Sequence, residues 1–340
     1  MIRNMVSSMG AVLEEKKSIF VDLSCSYVPV EIIHAAGLVP RRLLPPAPKE
    51  TGLLPRNSCS YARACVEHYN PAPVVFTVCC DGLRRCYDVR KSRGDNVFIL
   101  DLPRQVTSTC IQHYREELLR FAQWLAVFSG RPVCETSLER SMALYRDLRL
   151  RLKELQNAGC SPVGFNELVQ ITLTSAPEDS RLLLEGIHKT REISVETGSV
   201  LLTGAILPDA GILRVLEENN AAAVVADFCI GDRYWLEIEY PAGEDRWLTL
   251  ARAYLEKPPC PRMAGFSRRF SYLRGLLDRT GAHGVILYGV KFCDHSLYDV
   301  PLWRSLCSER GIPFLYLEGE YRGGIPAQFH TRIQAFLETI

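Results

Sequence analysis

The chain has 340 residues, a formal net charge of +1 and an apolar fraction of 47%. This length exceeds what one simple core fills, so two domains with a further helical piece are expected. The near-neutral charge, without a basic stripe interleaved with aromatic residues, argues against nucleic acid as a partner. No apolar run approaches the ~20 residues of a membrane-spanning helix. The first twenty residues also lack an apolar signal-peptide core, so we expect a cytoplasmic protein.

Seven short apolar runs are predicted to be β-strands. They are β-branched or aromatic, continuous rather than alternating, and separated by helical patterns, which is typical of parallel strands buried on both faces. The runs are Ser18–Leu23, Pro73–Val78, Asn96–Leu100, Ser199–Gly204, Ala222–Phe228, Gly284–Val290 and Ile312–Gly319.

A helical stretch from Thr109 to Val195 separates the first three strands from the last four, and Gly159 and Pro162 interrupt it as helix stops. We therefore predict an α/β fold with two Rossmann- or flavodoxin-like parallel-sheet lobes. The predicted domains are an N-terminal lobe over residues 1–108, a helical connector over 109–196 and a C-terminal lobe over 197–340.

Thirteen cysteines are spread over the chain, and a disulfide scaffold fits them poorly because such scaffolds are small, dense and exported. Four predicted strands are followed closely by thiols, in both lobes. These thiols are Cys25, the adjacent pair Cys79 and Cys80, Cys229 and Cys293. Ligands of open parallel sheets bind beyond the carboxyl ends of the strands, so all of them are expected at an edge where sites form.

The remaining cysteines differ in their predicted environment. The segment NSCSYARACVEHY predicts a helix capped near Asn57 or Ser58, which places Cys59 in its first turn, where backbone N–H groups favour a thiolate or an anionic metal–sulfide cluster. Cys65 lies nearly two turns further on. We expect packing residues at Cys86, Cys110 and Cys307, and helix-end or loop residues at Cys134 and Cys160.

Several kinds of thiol function stay open at this point. Taken singly, each strand-end cysteine is at least as well explained as a small buried hydrophobic residue. Structural zinc usually takes ligands two to four residues apart, and no C-x2-C pair occurs. Thiols from distant strand ends suit an iron–sulfur cluster held in a cleft between lobes. A thiol-based transferase would need a base near one cysteine, for which His295 is the candidate.

Charged residues accompany the thiols in CCDGLRR, CIGDRYW and FCDHSLYD. Three alternatives stay open for them: a bound substrate phosphate, ion pairs with one another, and ion pairs between the lobes. The residues concerned are Asp81, Arg84, Arg85, Asp232 and Arg233.

The chain resembles the 2-hydroxyacyl-CoA dehydratase family, the iron–sulfur subunits related to 2-hydroxyglutaryl-CoA dehydratase and benzoyl-CoA reductase. CSYVPVEIIHAAGLVPRRL is similar to the opening block of that family, SCSYARACV to its Cys-x-x-Ala-Arg block and CDGLRRCYD to its Cys-Asp block. In the second half, LLTGAILPD, ADFCIGDRYW, YLEKPPCPRM, GVILYGVKFCDH and TRIQAFLE follow in family order. The resemblance extends from about Ile19 to Ile340.

The resemblance implies two α/β lobes with a [4Fe-4S] cluster in the cleft between them. It also implies pairing with a homologous subunit and a separate ATP-hydrolysing activator with its own cluster, which delivers single electrons for radical reduction of an acyl-CoA. By this resemblance, Cys59, Cys80 and Cys293 match the blocks that supply metal ligands. Cys25, Cys229 and Cys260 match blocks where further thiols recur, particularly in the branch that carries a double-cubane cluster.

Some positions depart from the family pattern. Asp299 stands where Glu is common before Pro, and Glu320 stands where Asp is common before Tyr. The adjacent Cys79 and Cys80 leave two registers, one residue apart, open for that block. We expect an acyl-CoA dehydratase or reductase subunit. The alternatives are a double-cubane reductase of small molecules and a non-catalytic electron-transfer subunit that carries a cluster.

Overall fold

The structure is a computed structural model. It describes residues 19–68, 70–187, 197–207, 209–225, 227–229, 231–235, 238–240, 245–321 and 323–340. The predicted start of the first strand at Ser18 and the predicted helix over residues 188–195 lie outside the described residues.

The N-terminal half contains a four-stranded, all-parallel sheet in the order β2-β1-β3-β4. Its strands are β1 (Phe20–Leu23), β2 (Val39–Arg42), β3 (Val74–Thr77) and β4 (Val97–Leu100). Its helices are α1 (Val30–Ala35), α2 (Ser60–Glu67) and α3 (Asp81–Ser92).

The C-terminal half repeats this architecture with a second parallel sheet in the order β6-β5-β7-β8. Its strands are β5 (Thr197–Gly204), β6 (Ala221–Val225), β7 (Gly284–Val290) and β8 (Phe314–Gly319). The helices α4 (Ser108–Ser129), α5 (Glu135–Asn157), α6 (Pro162–Thr174) and α7 (Pro177–Glu185) lie between the two sheets in the sequence. The second half adds α8 (Gly211–Glu218), α9 (Asp232–Trp235), α10 (Arg246–Glu256), α11 (Phe266–Thr280), α12 (Asp294–Arg310) and α13 (Ala327–Leu337).

The predicted α/β fold with two parallel sheets and intervening helices is confirmed, and all seven predicted strands occur. The described residues contain an eighth strand, β2, which was not predicted. Its sequence Val-Pro-Arg-Arg is short and polar, and Pro40 lacks the N–H of a ladder donor. The strand is tolerated because β2 lies at the edge of its sheet. The predicted boundaries of the three domains stay predictions.

Strand order fixes where a ligand site forms. In each sheet, the second strand is added on one side of the first strand and the later strands are added on the other side. The switch point therefore lies between β1 and β3 in one sheet and between β5 and β7 in the other. A crevice opens beyond the carboxyl ends of the strands at such a switch point. The loops after β1, β3 and β7 therefore begin at the edges where ligands bind in this fold class.

Buried polar contacts tie the two halves together. Arg149 of α5 forms an ion pair with Glu31 of α1 at 2.7 Å, and Glu31 also accepts hydrogen bonds from the hydroxyls of Tyr240 and Tyr254. Arg63 of α2 forms an ion pair with Glu320 after β8 at 3.0 Å. The relative placement of the two sheets is thus stabilised by one ion pair that is almost fully buried and by a second in which only the arginine is buried.

No helix in the described part of the chain is both long and apolar enough to cross a bilayer.

Candidate functional site

Seven of the thirteen cysteines line one cavity between the two sheets. They are Cys25, Cys59, Cys79, Cys80, Cys229, Cys260 and Cys293. The cavity offers about 80 Å³ of space open to the centre of a water molecule. A single water needs only about 10–15 Å³ of such space, so the cavity has room for a group of several atoms.

Three of these thiols occupy the same local position. Cys59, Cys80 and Cys293 are the N-cap residues of α2, α3 and α12. Unpaired backbone N–H groups and the positive end of the helix dipole make this position favourable for a thiolate or an anion. Sequence reasoning placed Cys59 in the first turn of its helix, which is wrong by one residue because the helix begins at Ser60.

The first turn of α3, directly after the thiol pair, contains a glycine for a packing reason. The Cys80 sulfur accepts a hydrogen bond from the backbone N–H of Leu83 at 3.4 Å, which closes the first turn of α3. Gly82 lies in that turn, where a Cβ atom would approach the Cβ atom of Ala62 to 3.1 Å. The glycine therefore permits close packing of α3 on α2.

Cys59 and Cys293 form a thiol pair across the cavity. Their sulfurs share a hydrogen bond, which lowers the pKa of Cys293 to about 6 although burial opposes the charge. The backbone N–H groups of Ser296 and His295 support the charged form. The same hydrogen bond and burial raise the pKa of Cys59. One thiolate and one thiol donor are therefore the favoured state of this pair.

Cys25 lies between two further cavity thiols. Its hydrogen bond with Cys229 lowers its pKa, but the hydrogen bond with Cys79 and burial outweigh this contribution and raise the pKa to about 11. The hydrogen bond with Cys25, together with burial, raises the pKa of Cys229 to about 11 as well. These thiols are thus protonated near neutral pH unless a metal displaces the protons.

Both members of the adjacent pair reach the cavity. Cys79 hydrogen-bonds to Cys25 and to its neighbour Cys80, and Cys80 caps α3. Cys260 lies in the loop after α10, and its backbone N–H donates to the hydroxyl of Tyr27 at 3.3 Å. No three His, Cys, Asp or Glu side chains among the described residues are grouped tightly enough to hold a single metal ion. The seven cysteine thiols instead line the wall of the cavity.

Two buried cations flank the cavity on the side of Cys25 and Cys229. Arg42, the last residue of β2, donates from Nη2 to the sulfur of Cys229 at 3.1 Å. Lys257, directly after α10, donates from Nζ to the carbonyl oxygens of Ser26 and Arg233. Both residues lie in blocks that resemble the family, but sequence reasoning assigned neither of them to the site, because β2 was not recognised and the block of Lys257 was considered only for its cysteine.

The charged residues beside the thiols form ion pairs. Arg233 lines the cavity and pairs with the buried Asp227 at 3.3 Å. Arg85 pairs with Asp81 and Asp88 on the exposed face of α3. Arg84 is also exposed, and the side chain of Asp232 lies outside the described part. The structure therefore shows ion pairs within one half at Arg85 and at Arg233, and neither pair joins the two lobes.

His295 lines the cavity but is engaged with the backbone. Its Nε2 lies 3.1 Å from the carbonyl oxygen of Cys79, an acceptor, so this nitrogen donates. Burial and the positive charge of Arg233 lower the pKa of His295 to about 4. The ring is thus neutral and positions the backbone of the thiol pair. This geometry disfavours the alternative of a thiol transferase with His295 as its base.

The other cysteines lie outside the cavity. Cys65, Cys86 and Cys307 are buried, and the Cys86 thiol donates to the carbonyl oxygen of Ala62 at 3.3 Å. Cys134 is the exposed N-cap of α5, as expected for a helix-end residue, and Cys160 lies in the loop before α6. Cys110 is partly exposed in the first turn of α4, so the expectation that it packs in the core is only partly met.

The donor set fits an iron–sulfur group. Thiols are the ligands that such clusters take, and here seven surround one cavity. Within the described residues, Nε and Nη1 of the buried Arg42 have no hydrogen-bond partner. Unpaired buried N–H groups are costly, and an anionic group in the cavity would satisfy them.

The fold and the site define a two-lobed α/β protein with a thiol-lined cavity at the switch points of its sheets. Residues 25–340 match the family described as 2-hydroxyglutaryl-CoA dehydratase, D-component, and the chain belongs to this family. It is an enzyme family of the dehydratase type, as the resemblance implied.

Curated relatives are similar over most of their length. The chain is 24% identical to the (R)-phenyllactyl-CoA dehydratase beta subunit of Clostridium sporogenes, over 92% of this chain and 90% of that protein. It is 23% identical to the lactoyl-CoA dehydratase subunit beta of Anaerotignum propionicum, with the same coverage. A benzoyl-CoA reductase subunit of Thauera aromatica is 22% identical, over 92% of this chain and 89% of that protein. These relatives are subunits of acyl-CoA dehydratases and of a reductase.

Proposed function

We propose that the chain is the iron–sulfur subunit of an acyl-CoA dehydratase or reductase that works by one-electron, radical chemistry. The single observation behind this proposal is the convergence of seven thiols from both halves on one cavity. The family of the chain and its acyl-CoA relatives support the substrate class.

Three residues are proposed as the primary metal ligands, Cys59, Cys80 and Cys293. Each caps a helix, so backbone N–H groups stabilise the thiolate that binds the metal. Cys25, Cys229 and Cys260 are proposed as further ligands, together with Cys79. An iron–sulfur group bound there would supply electrons one at a time at low potential. The residues around it, such as Val290 and Leu83, exclude water from that space.

A second form of the cofactor is favoured by the number of thiols. One [4Fe-4S] cluster takes four ligands, whereas seven cysteines line this cavity. The surplus favours the double-cubane alternative, in which the protein reduces small molecules. The contacts of Cys59 with Cys293, and of Cys25 with Cys229 and Cys79, also form two separate thiol groups.

Two protein partners belong to the proposal. The names of two relatives as beta subunits support assembly with a homologous subunit. A separate activator that hydrolyses ATP and carries its own cluster is the proposed electron donor. The proposed location of the complex is the cytoplasm, where reduced thiols persist.

The test is a measurement of iron, sulfide and paramagnetic resonance spectra on protein purified without oxygen. About four irons per chain would support one cubane, and about eight the double form. Adding lactoyl-CoA, phenyllactyl-CoA or benzoyl-CoA to the reduced protein should change the spectrum if the cofactor meets an acyl-CoA. An unchanged spectrum with all three would favour the small-molecule reductase or an electron-transfer subunit. Protein that takes up no iron would contradict the proposal.

A further inference from the structure

We propose that Arg42 and Lys257 form a cationic wall beside the thiol cavity that holds the cofactor as an anion and raises its reduction potential. This inference rests on the proposed function, because it concerns the iron–sulfur group assigned there. It adds two positioning residues that lie outside the thiol set. Neither residue is a cysteine, and neither was singled out by its sequence context.

Arg42 is the better defined of the two cations. Only 2% of its surface is exposed, and it lines the cavity at the end of the edge strand β2. One of its nitrogens donates to the sulfur of Cys229, while Nε and Nη1 have no partner within the described residues. Burial lowers the pKa of Arg42, but the neighbouring groups Cys229, Tyr61 and Cys25 outweigh burial and raise it, so the side chain stays charged.

Lys257 approaches the same thiols from the C-terminal half. Its ammonium group is buried against the rings of Tyr27 and Tyr254, at 4.2 Å and 5.0 Å from their centroids. Its hydrogen bonds go to two carbonyl oxygens, which carry no net charge. The charged or titratable groups that act on it are Cys25, Cys229, Cys260 and Arg149.

Most other buried cations among the described residues have carboxylate partners, whereas Arg262 donates to three backbone carbonyl oxygens. Arg149 pairs with Glu31, Arg90 with Asp95, and Arg233 with Asp227. Arg42 and Lys257 form no ion pair with a carboxylate in the part of the chain that the structure describes. Burying an unpaired charge is strongly unfavourable unless a counter-ion arrives. The counter-ion is therefore expected in the cavity that Arg42 lines and Lys257 flanks.

An iron–sulfur group with thiolate ligands meets this requirement. It carries negative charge in every common state, and each electron it accepts adds one more. Two fixed positive charges stabilise the reduced state more than the oxidised state, because attraction grows with the negative charge. The cations therefore favour both retention of the cofactor and its reduction.

The experiment compares four variants with the native chain after anaerobic iron–sulfur reconstitution. Arg42→Gln and Lys257→Met remove one charge each, and Arg42→Lys keeps the charge. Arg140→Gln removes an exposed arginine of α5 and serves as the charge-matched control. Iron per chain and the midpoint potential from a redox titration followed by paramagnetic resonance are measured for each, and circular dichroism reports folding.

We expect a more negative midpoint potential in Arg42→Gln and Lys257→Met, and a potential near the native value in Arg42→Lys and Arg140→Gln. Folded Arg42→Gln protein that loses iron while Arg42→Lys retains it would also support the inference. If Arg42→Gln does not fold, Lys257→Met provides the test. Native potentials in both neutral variants would overturn the cationic wall and leave the proposed function intact. Failure of the native chain to bind iron would instead overturn the proposed function.

Discussion

The sulfurs of Cys59 and Cys293 share a hydrogen bond although one residue caps a helix of the N-terminal half and the other a helix of the C-terminal half. Two capped helices thus direct their N-terminal ends at one point between the sheets. Such an arrangement assembles only when both halves are folded and in contact. We therefore expect metal binding and the relative placement of the two halves to depend on each other.

Alanine substitutions at the capping thiols should remove iron. Cys80→Ala and Cys293→Ala each delete a thiolate at a helix N-terminus, so iron per chain should fall to less than about half of the native content after reconstitution. The measurement is a colorimetric iron assay on folded, anaerobic protein.

Cys110→Ala and Cys307→Ala are the matched controls, because both residues lie in helices away from the cavity. Their iron content should equal that of the native chain. Equal iron in all four variants would refute the assignment of Cys80 and Cys293 as ligands.

Iron-free protein should cross-link across its two halves when it is oxidised. Cys25 and Cys229 are hydrogen-bonding neighbours, and so are Cys59 and Cys293. Each pair of thiols can therefore transfer two electrons and two protons to diamide and form a disulfide. Peptide mapping by mass spectrometry without reduction should identify these two bonds.

Bound iron should protect the same cysteines, because a coordinated thiolate is not free to attack. Protein reconstituted with iron should therefore show neither bond after the same treatment. Disulfides that involve only exposed cysteines such as Cys134, in the iron-free sample, would contradict the proximity of the two pairs.

The buried ammonium of Lys257 should make the stability of the iron-free protein depend on alkaline pH. Burial lowers its pKa from 10.5 to about 8. Below pH 8 the group is charged in both states, and its burial reduces the free energy of unfolding by about 3 kcal/mol, at ~1.36 kcal/mol per pH unit. Between pH 8 and 10.5 the unfolded chain binds more protons than the folded chain, so this penalty disappears as the pH rises.

Urea unfolding of the native chain and of Lys257→Met, in reductant at pH values of about 7.5 and about 10, separates this contribution from the titration of the thiols. The stability of the native chain relative to the variant should increase between the two values. A difference that is the same at both pH values would show that the lysine is not charged and buried in the folded state.

Much of this fold could be predicted because its strands are continuous apolar runs. The run Gly284–Val290 is buried at every position and coincides with β7. β2 could not be predicted in this way, since Pro40 and two arginines contradict strand propensity and only the edge position permits them. The strand is held by its parallel pairing with β1, which is a contact between distant residues.

Only those residues of the candidate site that come shortly after a predicted strand could be located from the sequence. Cys25, Cys80 and Cys293, which were found by counting from strand ends, line the cavity, and their role as ligands stays a prediction. Arg42 and Lys257 were missed, because their significance is the lack of a carboxylate partner among the described residues, which no local pattern encodes. The role of His295 also depends on a hydrogen bond to the distant backbone of Cys79.

The buried ion pair between Glu31 and Arg149 should be a major determinant of stability. Glu31→Gln keeps the shape of the side chain but leaves the guanidinium of Arg149 without its counter-charge, in a site where both residues are almost fully buried. Breaking such a pair typically costs about 3–5 kcal/mol. Urea denaturation should show this loss of free energy of unfolding.

Glu309→Gln is the control, because Glu309 pairs with Arg274 on the surface with nearly half of each side chain exposed. Exposed pairs contribute about 0–1 kcal/mol, so this variant should unfold close to the native midpoint. The contact between α1 and α5 also positions α1, the helix that follows β1 and the cavity thiol Cys25 in the sequence. Glu31→Gln should therefore bind iron less well as it loses stability, whereas equal stability of the two variants would show that the buried pair does not hold the two halves in place.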